Sequence, residues 1–403
     1  MTDLHADPDR LITTPATSPI ITLSRWCVWG ALFFSPWIIQ WTLPIVGLNA
    51  SAVPVVANVP KLRPADMLAA LSIVLYASCG WPGLRRLWQR QRVWLGAMLG
   101  LALMTVLSIL WAGQAALAIV FAGHTLLWIL FMLRIACDDL EPGSIALSLF
   151  AGLLVNSAVG LAQFALQRSV GLTLFGELQL GLTVAGASVI GTDNLHLLRL
   201  YGLSGHPNVI GGFAAVALVW GLSLMARSAR RWLPVILVAW LIGWLTLLLS
   251  FSRSAWLGIA VALGLIAVLT FRQLVYRHYA GRILAVVGMI VASIALLTIR
   301  FRPFIVERLT TPQSSTLETT SLDDRIDLMH AAFELIALRP LTGVGIGNFI
   351  ASSQTFIGTA AEFDWVHNVP LLITSELGVP GLALWLIGLA AIWNGFRRSY
   401  RHG

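Results

Sequence analysis

Long hydrophobic stretches alternate with short polar breaks over most of this chain. A helix that crosses a bilayer needs about 20 apolar residues, with a range of roughly 17–25. Such runs lie near residues 24–43, 65–80, 93–111, 115–133, 143–164, 207–225, 232–250, 254–271, 283–299 and 369–395. The pattern predicts an all-α integral membrane protein, a polytopic bundle of about ten transmembrane helices. The second run is short. The last also reads as a shallow entry segment followed by a span starting near Gly378. Residues 1–23 are polar and read as a disordered cytoplasmic tail, leaving 24–403 as one membrane domain. No charged segment leads into a small-residue cleavage site, so the first apolar run is expected to be retained.

Two polar-flanked connections are long, 165–206 and 300–366. The second contains "SLDDRIDLMHAAFELIALRP". Ser321 suits an N-cap, Asp323 and Asp324 suit the first turn, and Pro340 follows the end. Leu322, Ile326, Met329, Phe333 and Ile336 recur at helical spacing. The expectation is an amphipathic helix on the outer face of the bundle or at the membrane interface.

Composition sharpens this picture. The chain is 58% hydrophobic and 11% charged, with mean hydropathy +0.82; a soluble domain carries about 25% charge. The net charge of +8 would suggest nucleic acid in a soluble protein, but here the basic residues read as membrane anchors. With the N-terminus inside, the inner loops collect Arg85, Arg86, Arg90 and Arg92; Arg134; Arg227, Arg230 and Arg231; Arg272, Arg277 and Arg282; and Arg397, Arg398 and Arg401. The outer segments carry a slight acidic excess. This satisfies the positive-inside rule and puts both termini in the cytoplasm. Cys27, Cys79 and Cys137 suggest neither a disulfide nor a metal pair. There is no phosphate-binding loop, zinc spacing or nucleotide fingerprint, so no cofactor or metal is expected.

Candidate chemistry gathers in three outer-face motifs: "RLYGLSGHPN" from Arg199, "SFSRSAWLG" from Ser250 and "HNVPLLITSELG" from His367. Arg253 sits between two apolar runs with only Ser250, Ser252 and Ser254 as polar neighbours. An arginine at membrane depth costs at least about 2.5–3.5 kcal/mol on insertion scales and marks a functional site. Guanidinium forks match phosphate oxygens, so Arg199 and Arg253 suit a pyrophosphate. A histidine's ordinary pKa of about 6.5 suits His367 to take a proton from a hydroxyl. His206, Asn208, Ser252, Ser254 and Asn368 complete the candidate binding set. His206 also reads simply as the start of a span before Pro207. His124 lies mid-span and reads as a packed or hydrogen-bonded residue. Glu376 reads as paired with an arginine or as a cap, and "GVGIGNF" (343–349) as a tight outer turn.

Together these motifs and their order resemble the O-antigen ligase family, whose signature region is shared with O-antigen polymerases. The resemblance covers about residues 199–393. It includes Arg199 and Leu203 with three residues between them, His367 and Gly378 with ten between them, and "SRSAWLG" and "RPLTGVGIGNF". It implies a metal-independent, inverting glycosyltransferase at the outer face of the bacterial cytoplasmic membrane. The donor would be an undecaprenyl-pyrophosphate-linked glycan, and the acceptor a lipid or glycan hydroxyl. Arg199 and Arg253 would clamp the pyrophosphate, and His367 would activate or orient the acceptor. The ten predicted spans depart from the twelve of the ligases. A polymerase joining lipid-linked repeat units is the alternative within the class. A flippase for such glycans is the alternative outside it, although transporters place charges near the midplane and show repeated halves. Sugar, acceptor and oligomeric state are open.

Overall fold

The computed structural model describes residues 18–39, 61–184, 186–192, 195–271, 276–310, 316–354, 356 and 364–402. Most of the expected tail, and the end of the first expected span, lie outside these. The helices are α1 (Pro19–Phe34), α2 (Pro64–Ala77), α3 (Leu84–Leu107), α4 (Ala115–Cys137), α5 (Pro142–Leu166), α6 (Pro207–Arg227), α7 (Leu233–Leu249), α8 (Arg253–Phe271), α9 (Tyr276–Thr310), α10 (Thr316–Leu338), α11 (Phe349–Ser353) and α12 (Val369–His402). One antiparallel pair, β1 (Val189–Thr192) and β2 (Leu195–Leu198), lies between α5 and α6, with Val189 opposite Leu198. The chain is thus an all-α multi-pass membrane protein with a small hairpin that the apolar pattern did not announce.

Each expected apolar run coincides with a helix, but the count of ten spans is not carried. Among the described residues six helices are long and apolar enough to cross a membrane. A seventh qualifies if the 50° bend in α9 between Leu296 and Thr298 joins two halves of one span. The apolar stretches Pro19–Phe34, Pro64–Ala77 and Arg253–Val268 are shorter. At 1.5 Å per residue the 14-residue α2 reaches about 21 Å against a hydrocarbon core of about 30 Å. The first run over-extends because the helix stops at Phe34, before Pro36. Its start is set by Ser18, whose Oγ accepts from Ile20 N, and by Pro19 in the first turn.

The core lies between α5, α6, α7 and α9. Trp240 stacks on Trp244 at 5.4 Å, and Trp244 Nε1 donates to Ser293 Oγ on α9 at 2.8 Å. His124 keeps a mid-span partner, accepting from Trp128 Nε1 at 3.2 Å.

Helix ends gather in two sets. At one end the Ile38 amide beyond α1 reaches Leu203 O at 2.9 Å, before α6. Gln114 N, before α4, reaches Asn348 Oδ1 at 2.7 Å. Trp111 Nε1, after α3, reaches Thr342 O at 3.0 Å. The other end is basic. Arg25 forks onto Asp138 with Nε···Oδ2 3.0 Å and Nη2···Oδ1 2.7 Å. Arg134, expected as a loop anchor, is instead fully buried. It stands 3.0 Å from Asp138, donates to Ser24 Oγ at 2.9 Å and lies 4.0 Å over the Tyr76 ring. A carboxylate one turn away and an aromatic face make that burial tolerable.

Two features of the C-terminal third bear on the expectations, the first departing from them and the second following them. The helix in the second long connection starts at Thr316, so Ser321 is an interior residue and not its N-cap. Its packed face is Leu328, Ala331, Ala332 and Leu335, while Ile326, Met329 and Phe333 are exposed. Both faces of α10 are apolar, and the alanine-bearing one allows the closer approach. Second, α12 is broken at Gly378 (φ 70°, ψ −178°), as the entry-segment reading anticipates. The turn holding Gly343, Gly345 and Gly347, all at positive φ, plugs the break. Val344 N donates to Ser375 O at 2.9 Å, Gly345 N to Glu376 O at 2.9 Å, and Val379 N to Pro340 O at 2.8 Å. Glu376 is buried and pairs with backbone, not arginine: its carboxylate accepts from Phe349 N at 3.2 Å and so caps α11.

A Cβ at Gly378 would collide with the Leu341 carbonyl, in a backbone region that is essentially glycine-only. Gly378→Ala is therefore expected to lower the melting temperature in detergent, with strain of order 1–3 kcal/mol. Gly264→Ala, with open space around it, should melt like wild type.

Candidate active site

The candidate residues collect at the less basic end, around the first turns of α6, α8 and α12. His206 is the N-cap of α6, its side chain accepting from Asn208 N at 3.1 Å, and Pro207 opens the helix. A tight turn joins α7 to α8, with buried Phe251 at φ 49°. It delivers Arg253 as the first residue of α8, exposed. The starts of α6 and α8 touch: a Cβ at Gly211 would lie 2.6 Å from Ser250 Oγ and 3.0 Å from Ser252 Cβ. Asn368 caps α12, its Oδ1 accepting from Leu371 N at 3.2 Å. Helix N-termini turn unsatisfied N–H groups and a positive dipole end outward, which favours anions.

Arg199 is only 3% exposed. Its Nε donates to Ser250 O at 2.8 Å, Nη1 to Ser188 Oγ at 2.8 Å and Nη2 to Asn208 Oδ1 at 2.7 Å. It thus ties together the loop before β1, the first turn of α6 and the end of α7. Arg199 and Arg253 belong to one unit, the first buried beneath it and the second at its surface. Ser252 is buried and its Oγ lies 3.3 Å from that of exposed Ser254.

His206 keeps an exposed edge, yet burial against surrounding protein, then the charges of Arg199, His367 and Arg325, push its pKa down to about 4; Asp364 opposes them. With Nδ1 accepting from the helix, the neutral ring carries its hydrogen on Nε2 and acts as a donor there. The same effects show that His367, Arg325 and Asp364 stand near His206. His367 is exposed, its Nε2 3.6 Å from Asp364 Oδ2. Asp364 Oδ1 in turn accepts from Trp365 N at 2.7 Å. Asp364 and Arg325 were not singled out from the sequence. For Asp364 the signal was present, an acid three residues before the histidine; for Arg325 it takes the packing of α10 to reveal it.

Behind the Phe251 turn lies an apolar cavity of about 440 Å³ between α7, α8 and α9. Trp244, Phe251, Trp256, Ile290 and Phe301 line it.

A polytopic bundle with a cationic site at one end, above an apolar cavity, is the class that fold and site define. Residues 237–386 match the family model described as O-antigen ligase. The chain therefore carries an O-antigen ligase family domain, which runs from α7 into α12 and includes Arg253, Asp364 and His367. Arg199, His206 and Asn208 lie just before it. The matched domain is that of ligase- or polymerase-type enzymes of polysaccharide biosynthesis, which handle lipid-linked glycans. No curated protein matches the chain.

The low pKa of His206 gives a pH signature. Between about pH 6.5, the ordinary value, and about 4, the unfolded chain binds a proton that the folded one refuses, so stability falls as pH drops through that window. His206→Asn retains a capping side chain but does not titrate. Its melting temperature should decline less steeply than that of wild type between those pH values.

Proposed function

We propose that the protein transfers a glycan from an undecaprenyl-pyrophosphate donor to an acceptor hydroxyl, with inversion, at the outer face of a bacterial cytoplasmic membrane. The convergence of the α6 and α8 N-termini, with Arg253 at the surface and Arg199 beneath, is the observation that carries this reading. A pyrophosphate in that place meets a guanidinium fork and two helix dipoles of the favourable sign. The apolar cavity behind Phe251 suits the first isoprenoid units, two residues away from Arg253. The arginine-rich opposite end suits the cytoplasm.

In this reading His367 takes the acceptor proton while the acceptor oxygen attacks the anomeric carbon from the face opposite the leaving group. The bond from that carbon to the pyrophosphate oxygen breaks, and the electron pair leaves with undecaprenyl pyrophosphate. Asp364 turns Nε2 of His367 toward itself and leaves Nδ1 for the hydroxyl. His206 Nε2–H and Arg325 offer further donors to the leaving phosphates. Arg199 acts as a positioning residue that holds Asn208 and the α7–α8 turn. Charge is met by these groups, so the reading is metal-independent.

Removing one electrostatic stabiliser of a leaving group typically costs about 10²–10³ in kcat. Arg253→Ala should lose activity on that scale, and Arg253→Lys should recover little, since a point charge does not replace a fork. His367→Ala should lose turnover, and Asp364→Asn should lose less. The assay is release of undecaprenyl pyrophosphate from a lipid-linked glycan by purified protein in chelator, with lipid A–core or further lipid-linked glycan as acceptor. The productive acceptor separates ligase from polymerase. Near-normal turnover by Arg253→Ala would sink the clamp, and release with neither acceptor from a matched donor would favour transport.

A further inference from the structure

At the basic end, the turn between α2 and α3 and the start of α3 shape a groove that the proposed reaction does not use. The turn "CGWPG" (79–83) carries Trp81 in a left-handed conformation, φ 52°, an outlier for a bulky residue. The ring stands edge-on to Tyr76 at 5.7 Å. Gly83 packs so closely on the Cys137 carbonyl that a Cβ would collide with it. The strained turn is thereby pinned to the end of α4, and Trp81 faces the groove. α3 leaves helical geometry at Gln91 (φ −135°, ψ 35°). A short arginine-rich lead segment therefore precedes the spanning part of the helix.

The groove, about 790 Å³, has Trp81, Arg85 and Trp88 at its rim and Leu95, Leu99 and Leu133 along its wall. Arg85 and Trp88, three residues apart, share a face of the lead segment, Leu95 and Leu99, four apart, share a face of the spanning part, and all four line the groove. From the irregular Gln91 to Leu99 the helix descends about 12 Å, against about 15 Å for half a hydrocarbon core. The wall is therefore roughly one leaflet deep. Indoles prefer the headgroup level, and Trp88 is 54% exposed there. Arg86 is committed, donating to the Asp139 carboxylate and to Cys137 O. Its neighbour Arg85 is exposed and has no hydrogen bond or ion pair among the described residues. The stretch around it is cationic, with Arg90 on the same segment and Arg92 just beyond Gln91.

We propose that this groove binds an anionic phospholipid. The phosphate sits on Arg85 between the two indoles, and an acyl chain lies on the leucine wall. A basic pocket between helices at an arginine-rich membrane face has the chemistry for such a headgroup. A zwitterionic lipid brings an ammonium into the same cationic field and is disfavoured. The proposal stands apart from the glycan transfer and from the orientation assigned above.

The test uses the purified, delipidated full-length chain in neutral detergent. Native mass spectrometry follows titration with phosphatidylglycerol or with phosphatidylethanolamine of the same acyl chains. Wild type should bind one phosphatidylglycerol in preference. Arg85→Ala should lose about fivefold in that affinity, as expected for one arginine at a membrane surface, and with it most of the preference. Arg397→Ala, elsewhere at the basic end, should keep both. Leu99→Trp fills the wall from an exposed position and should weaken both lipids while melting like wild type without lipid. Equal binding of the two lipids by wild type, or unchanged phosphatidylglycerol binding by Arg85→Ala in folded protein, would overturn the proposal.

Discussion

The buried guanidinium of Arg199 is the interaction on which the candidate site depends. Each of its nitrogens donates to a different segment, and none of the three acceptors is a charged carboxylate. A carbonyl, a hydroxyl and an amide are thus among the groups that hold the cation, and its charge acts on the groups around it. Burial first, and the Arg199 charge after it, hold down the pKa of His206. The geometry of those bonds sets where α6 begins relative to the end of α7. Because α8 follows α7 after a tight turn, it also sets where Arg253 emerges. One side chain thus supplies both the frame and the electrostatic sign of the site.

The helices were legible because lipid demands that backbone groups be satisfied inside each span, which forces long uninterrupted apolar runs. Span lengths were less legible. Apolar residues such as Trp37 and Ile38 extend a hydropathy run after the helix has ended, and the sequence does not say where the chain turns. Which face of α10 packs was not legible for a related reason. Ile326, Met329 and Phe333 are as apolar as its packed side, and partner shape, not hydrophobicity, chose Ala331 and Ala332 for contact. The hairpin before α6 was missed because its strands are only four residues each.

The site was legible as residue types and order, and less so as roles. Arg199 and Arg253 look alike in the sequence, both arginines beside short polar motifs. Burial separates them, one becoming an internal tether and the other a surface cation. Glu376 illustrates the reverse. An acid within an apolar run invites a search for a basic partner, yet its need is met by a main-chain amide at the start of α11. Arg134 likewise reads as a flanking charge until Asp138 and Tyr76 are seen around it.

The break in α12 turns the stretch from His367 to Gly378 into a ruler. Its upper end is fixed by the cap at Asn368, its lower end by the plug of the 340–348 turn. Between them the helix is regular, so adding or removing one residue would swing the upper end by about 100° about the axis and shift it by 1.5 Å. His367 would then swing away from His206, carrying Asp364 with it, even though no contacting residue had changed. Insertions can accumulate in the connections of this protein, but the number of residues between mouth and break is set by geometry.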